Sequence, residues 1–372
     1  MGTLPRYAYL DPKGVQFEAE ITREGVYDLL PIEVEWQKRQ QFLDRKGYKL
    51  RRRYQPGWTP SWVQTNLNPT YCEDSILLNV SRPSPYLGVI DAIRVRDGER
   101  VSIKRTPKGT QELNIAQFLS SIHAADNHCV TVLEVLQDPF EPQKALMVMP
   151  YLEQFNHPEF EAVGEVVDFV FQALEGLIFL HQNRIAHRDI APPNVMMDGR
   201  ALYPKGHHPV RWRFCEDAIY DATPLSRLDH SVRYFYIDFG ISVRSPDDAP
   251  PRVTGVIGRY KEAPEMSYDV PYDAFKTDVW ALGNLFLKEF LVLYHGLDFL
   301  QPLVDAMQRA DPVARINARE AMAMFTGIHS TLSSPFLRWR LRSRTETTPE
   351  RVVYDAVAVA REGLYHLKRL VI

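Results

Sequence analysis

Near Leu152 the hydrophobic pattern of this chain changes period. From Asp74 the apolar residues come in short β-rich runs, "SILLNVS", "GVIDAIRV", "RVSIKRT", "CVTVLEVL" and "ALMVMPYL". Runs of this length, rich in β-branched residues, have the period of strands that bury one face. The "RDG" at 96–98 between the second and third run carries the residue types of a hairpin turn. Between the third and fourth, "TQELNIAQFLSSI" sets Leu113, Ala116, Phe118 and Ile122 at near-helical spacing behind Thr110, a fitting N-cap. Beyond Leu152 the runs lengthen to "EVVDFVFQALEGLIFLHQ", "TDVWALGNLFLKEFLVLYHG" and "INAREAMAMF", which read as helices. The pattern predicts an α+β, bilobal chain: a five-stranded antiparallel sheet with one helix, then a larger, mainly α-helical lobe.

The same texture sets the boundaries. Residues 1–73 read as an N-terminal extension, 74–152 as the small lobe, 153–330 as the large lobe with an insertion near 199–232, and 331–372 as a basic and helical tail. In the extension, "PIEVEWQKRQQFLDRKG" opens on Pro31 and closes on Gly47, the punctuation of a helix. "YKLRRRYQPGWTPSW" then reads as an ordered loop whose Trp58 and Trp62 pack on something larger. The stretch from Arg200 to Val232 is expected as a surface insertion. In the tail, Arg338, Arg340, Arg342 and Arg344 precede an amphipathic helix and are expected to be solvated or to pair with acidic neighbours.

With 372 residues the chain has room for two lobes and extensions. A hydrophobic fraction of 45% and a charged fraction of 24% argue against wholesale disorder. The net charge of −3 lacks the basic excess of a nucleic-acid binder, so no such partner is indicated. Cys72, Cys129 and Cys215 stand far apart and form no metal-like pair, which fits reduced thiols in the cytoplasm or nucleus. "MGTLPRYAYLDPKG" has no apolar run of signal-peptide length. "VVDFVFQALEGLIFL" carries Asp168, Gln172 and Glu175, which hydrocarbon disfavours, so a buried helix and no membrane partner are expected.

Chemistry gathers in "HRDIAPPN" at 187–194, where Asp189 and Asn194 stand five positions apart, and in "IDFG" at 237–240. Taken singly, each is an ordinary loop residue with turn hydrogen bonds to make. They stand, however, in an ordered set. "VSIK" ends the third run with Lys104, Glu112 opens the next helix, and "EAPE" (262–265), "DVWALG" (278–283) and "DPVARINAREA" (311–321) follow. On these motifs, residues from about 75 to 325 resemble a eukaryotic protein kinase domain. The "YQPGW" extension is similar to kinase-like proteins of fungi.

The resemblance implies ATP and Mg2+ as cofactors and a hydroxyl of an unidentified protein substrate as acceptor. Lys104 would contact the α and β phosphates, held by Glu112; Asn194 and Asp238 would hold magnesium; Asp189 would orient or accept the acceptor's proton. Met149 would stand at the back of the nucleotide site, Pro150, Tyr151 and Leu152 would bind adenine through their backbone, and Val89 and Ser102 would line the roof. His187 and Phe239 resemble members of an internal apolar stack, Glu265 and Arg315 a buried ion pair, and Asp278 a tether of the catalytic loop. Arg188 would await a phosphorylated residue, for which Ser242, Ser245 and Thr254 are candidates.

The chain departs from the family at four places. Arg82, Ser84 and Leu87 stand where three phosphate-loop glycines are usual, with Pro83 and Pro85 unable to offer an amide hydrogen. Lys104 and Glu112 are only eight positions apart, Ala191 replaces a lysine, and Gly258 replaces a threonine. Three readings follow: a serine/threonine protein kinase, a pseudokinase that binds without transferring phosphate, and a small-molecule kinase, which "APE", "DVWALG" and Arg315 disfavour.

Overall fold

The computed structural model describes residues 4–75, 88–246 and 249–371. They divide into two units. The first gathers Met1–Leu113, Thr131–Leu152 and Gly199–Leu225; the second gathers Asn114–Val130, Glu153–Asp198 and Ser226–Ile372.

The first unit is built on a five-stranded antiparallel sheet. In chain order its strands are β1 (Tyr48–Lys49), β2 (Val89–Arg94), β3 (Arg100–Pro107), β4 (Glu134–Gln137) and β5 (Lys144–Pro150), arranged β1-β2-β3-β5-β4. Alternate residues of the strands, Ile90 and Ala92, Val101 and Ile103, Leu146 and Val148, face one core. Helix α2 (Pro31–Arg45), which follows α1 (Pro12–Arg23), closes that core with Trp36 and Leu43. The extension thus belongs to the body of the unit, supplying the edge strand as well as the helix. "SILLNVS" lies outside the described residues. "CVTVLEVL" pairs within the sheet only over its second half, because Val130 donates its N–H to Tyr236 O in the second unit's interior.

Charges stitch the extension to the sheet. Arg53 reaches both oxygens of Glu33 (2.9 and 3.0 Å), and both side chains are wholly buried. Arg39 reaches Asp138 at 2.8 Å, again with neither side chain exposed. A buried pair is sound only when both partners are present.

The expected surface insertion is folded onto the first unit. Arg100 of β3 donates to His207 O (2.6 Å) and Glu216 (2.9 Å), and the Tyr151 hydroxyl donates to Pro209 O at 2.9 Å. Leu202, His208 and Ala218 are fully buried. A segment of this length escapes the usual fate of a long loop by giving its main-chain carbonyls fixed donors.

In the second unit, helix α4 (Val163–Gln182) is apolar on nearly every side and is buried accordingly. Around it lie α5 (Ala274–Phe286), α7 (Ala318–His329) and the strands β6 (Glu153–Gln154), β8 (Val195–Asp198) and β9 (Arg233–Tyr236), ordered β6-β8-β9. Between β6 and β8 runs β7 (Ile185–Ala186); α3 (Gln111–Ser120) precedes β4, and α6 (Gln301–Met307) precedes α7. A Cβ at Gly176 of α4 would lie 2.6 Å from His128 Cβ and 2.9 Å from Tyr236 Cε2. Gly176→Ala is therefore expected to cost about 1–3 kcal/mol by overpacking, read as a lower urea midpoint at unchanged m.

In the tail, α8 (Ser334–Leu337) leads to Arg340, which pairs with Glu346 (2.8 Å) and Asp355 (2.6 Å) beside α9 (Thr348–Val371). Among the described residues no helix is long and apolar enough to cross a membrane.

Candidate active site

Strand register positions the candidate residues of the first unit. Val89 pairs with Lys104 across β2 and β3, while Ser102 and Lys104 pair with Met149 and Met147 across β3 and β5. Lys104 forms an ion pair with Glu112 Oε1, and Thr106 Oγ1 donates to the other carboxylate oxygen at 3.0 Å. The eight-residue spacing suffices because β3 runs to Pro107, Gly109 turns the chain at φ +69°, and α3 starts at Gln111. Glu112 therefore sits in the first helical turn, where a carboxylate also suits the helix dipole. With Glu112 8% exposed, the pair is shielded beyond what a surface salt bridge enjoys.

Met149 and Pro150 end β5, and Tyr151 and Leu152 carry the chain out of the sheet. The Tyr151 N–H donates to Arg100 O at 3.3 Å. Positions 82, 84 and 87 of the phosphate loop lie outside the described residues.

The second unit carries the acidic candidates Asp189 and Asp238 together with Asn194. Asp189 is gripped at both oxygens: Asn194 Nδ2 donates to Oδ2 (2.9 Å) and to the Asp189 carbonyl (2.8 Å), and the Arg259 N–H donates to Oδ1 at 2.7 Å. With its NH2 group spent this way, buried Asn194 receives no hydrogen bond on Oδ1 among the described residues. Val195 pairs with Tyr236 across β8 and β9, and the Ile237 N–H donates to Asn194 O (3.0 Å). The ladder thereby delivers Asp238 to the same end as Asn194. Asp238 adopts φ +63°, a conformation costly for a residue with a Cβ and one that gathers at functional sites.

The loop's scaffold comes from α5. Asp278, buried, accepts the N–H groups of His187 (2.8 Å) and Arg188 (2.7 Å) on separate oxygens. The buried rings of His187 and Phe239 lie 5.3 Å apart. Arg315, fully buried, donates to Glu265 Oε2 at 3.0 Å. Arg188 spends its side chain on the carbonyls of Ile241 and Thr254. Of the candidate modified residues, Ser242 is 2% exposed and donates to His187 O, so it is not accessible; Thr254 is exposed.

Two contributors left no mark in the sequence reading. Thr106 sits one strand period beyond Lys104, on the same face, so the alternation could have marked it. Arg259 acts through its main-chain N–H, for which any residue type but proline serves.

Residues 86–295 match the family model described as the protein kinase domain. A probable serine/threonine-protein kinase of Dictyostelium discoideum is 26% identical over 210 residues, which is 54% of this chain and 34% of that protein. The MAP kinase kinase kinase wis4 of Schizosaccharomyces pombe is 24% identical over 228 residues, 53% of this chain and 15% of that protein. The chain thus covers only a minor part of either relative's length. The family match itself takes in more than half of the chain, which therefore belongs to the protein kinase domain family.

Proposed function

We propose that the protein is an ATP- and Mg2+-dependent kinase that transfers the γ-phosphoryl group to a serine or threonine hydroxyl of a protein. The observation that carries this reading is the Lys104–Glu112 ion pair, made despite the short spacing and backed by Thr106. Lys104 would hold the nucleotide's phosphates, with adenine against the backbone of Pro150, Tyr151 and Leu152 and beneath Val89 and Ser102, next to Met149. The donor set at Asn194 and Asp238 fits magnesium: one oxygen is a carboxylate's, the other a carboxamide's with its NH2 group already committed. Bound there, the ion would neutralise charge on the phosphates. Asp189 would take the hydroxyl proton as the acceptor oxygen bonds to phosphorus and the bond to the ADP oxygen breaks. The name of the Dictyostelium relative supports serine/threonine as acceptor. We place this activity in the cytoplasm or nucleus, where the three free cysteines stay reduced.

The pseudokinase reading draws on Arg82, Ser84 and Leu87 in place of glycines. Labelled-phosphate transfer from ATP to a generic protein acceptor separates the two. The wild type is expected to incorporate label only with Mg2+, and Asp238→Asn to fall to background. Incorporation equal to that of Asp238→Asn, at millimolar ATP and Mg2+, assigns the chain to the binding class instead.

A further inference from the structure

Two groups that would hold the acceptor side are missing from this chain, the lysine at Ala191 and the hydroxyl at Gly258. The two absences meet at Arg259. Its N–H donates to Asp189 Oδ1 at 2.7 Å, so its Cα stands one bond from the atom that fixes the carboxylate. Its side chain is exposed, and among the described residues no hydrogen bond or ion pair engages it. By contrast, Arg188 is turned onto main-chain carbonyls, and Ala191 is fully buried.

Gly258 makes this approach feasible. It has φ +88°, and a Cβ there would lie 2.6 Å from Arg188 O and 3.2 Å from Asp189 Oδ1. Only glycine lets the main chain come this close, so losing the hydroxyl is the condition for gaining the amide. A guanidinium rooted beside Asp189 stays charged at all working pH values and can fork onto two oxygens of a phosphoryl group.

We propose that Arg259 is the acceptor-side cation of this enzyme: its main-chain N–H orients Asp189, and its guanidinium meets the transferring phosphoryl group in place of a lysine at 191. The inference rests on the phosphotransfer reading above. Because Arg259→Ala keeps the N–H, that variant isolates the guanidinium.

The test measures kcat, KM for ATP and melting temperature on the full chain for wild type, Arg259→Ala, Arg259→Lys and the pair Arg259→Ala with Ala191→Lys. Arg259→Ala is expected to lower kcat about 10²-fold, the usual loss for one preorganised charge-stabilising contact. KM for ATP and melting temperature are expected to stay unchanged. Arg259→Lys is expected to keep part of the rate, and lysine at 191 to restore part of it. Free guanidinium added to Arg259→Ala gives the same readout without a lysine in a buried position. An active wild type with Arg259→Ala within twofold of it overturns this proposal alone, as does a rate loss that neither lysine nor guanidinium recovers. A wild type without transfer activity removes the phosphotransfer reading, and this inference with it.

Discussion

Asp189→Asn is expected to lower phosphate transfer by about 10²- to 10⁴-fold, the usual worth of a positioned general base. The carboxamide cannot take a proton at neutral pH, so the chemical step loses its acceptor. The hydrogen bonds around it sharpen the expectation. Oδ1 can still accept from the Arg259 N–H, but the new NH2 group would face Asn194 Nδ2, donor against donor. One hydrogen bond is therefore lost as well, worth about 0.5–1.5 kcal/mol, and a small drop in melting temperature should accompany the large drop in rate. Asn194→Ala in the Asp189→Asn background removes that clash but also the 2.8 Å hydrogen bond to the Asp189 carbonyl, so neither stability nor rate is expected to return to the wild-type level. Steady-state label incorporation beside a thermal melt of each variant checks both parts. An Asp189→Asn protein as active as wild type would mean that phosphate reaches the acceptor without this carboxylate.

The largest expected effect on stability lies far from that loop. Glu33 accepts from Arg53 twice, from the Tyr54 hydroxyl (3.1 Å) and from the Leu30 N–H (2.9 Å), with no exposure of its side chain. Burial pushes its carboxyl up, but Arg53 and the other donors outweigh that and hold it below the ordinary value of 4.5. Glu33→Ala strands a buried guanidinium and is expected to cost about 3–5 kcal/mol, read as a lower urea midpoint. The sign of the acid response follows from the lowered value. The carboxylate's contribution is complete above pH 4.5 and fades as pH falls below it, so wild type loses stability on acidification. Glu33→Gln, which cannot ionise, is expected to begin less stable and to lose less over the same pH range.

Much of the fold was legible because it is written in side chains at regular spacing. Ile90 and Ala92, then Val101 and Ile103, alternate as strand residues burying one face must, and α4 shows its burial in a nearly unbroken apolar run. The Lys104–Glu112 pair was legible for the same reason, since both partners are charged side chains. The edge strand Tyr48–Lys49 was not, because two residues carry no period. Nor was most of the docking of the insertion, whose acceptors, apart from the Glu216 carboxylate, are the carbonyls of His207 and Pro209. Main-chain groups are the same in every residue, so such contacts leave no signature of type or spacing. The Arg259 N–H on Asp189 was hidden by that rule too. Gly258 could be read only as the absence of a threonine, while the structure gives it a positive reason in the space that a Cβ would occupy.

The insertion also bears on the order in which a ribosome releases this chain. The first unit needs Gly199–Leu225 as well as the segments up to Leu152, so its last piece emerges only after Asn114–Val130 and Glu153–Asp198 of the second unit. At roughly 5–20 residues per second, the interval between Leu152 and Leu225 lasts about 4–15 s. Over that time the nascent sheet would hold Arg100 and Tyr151 without the carbonyls that later receive them. Co-translational folding of this protein cannot run to completion lobe by lobe from the N-terminus; the first unit to begin is made to wait.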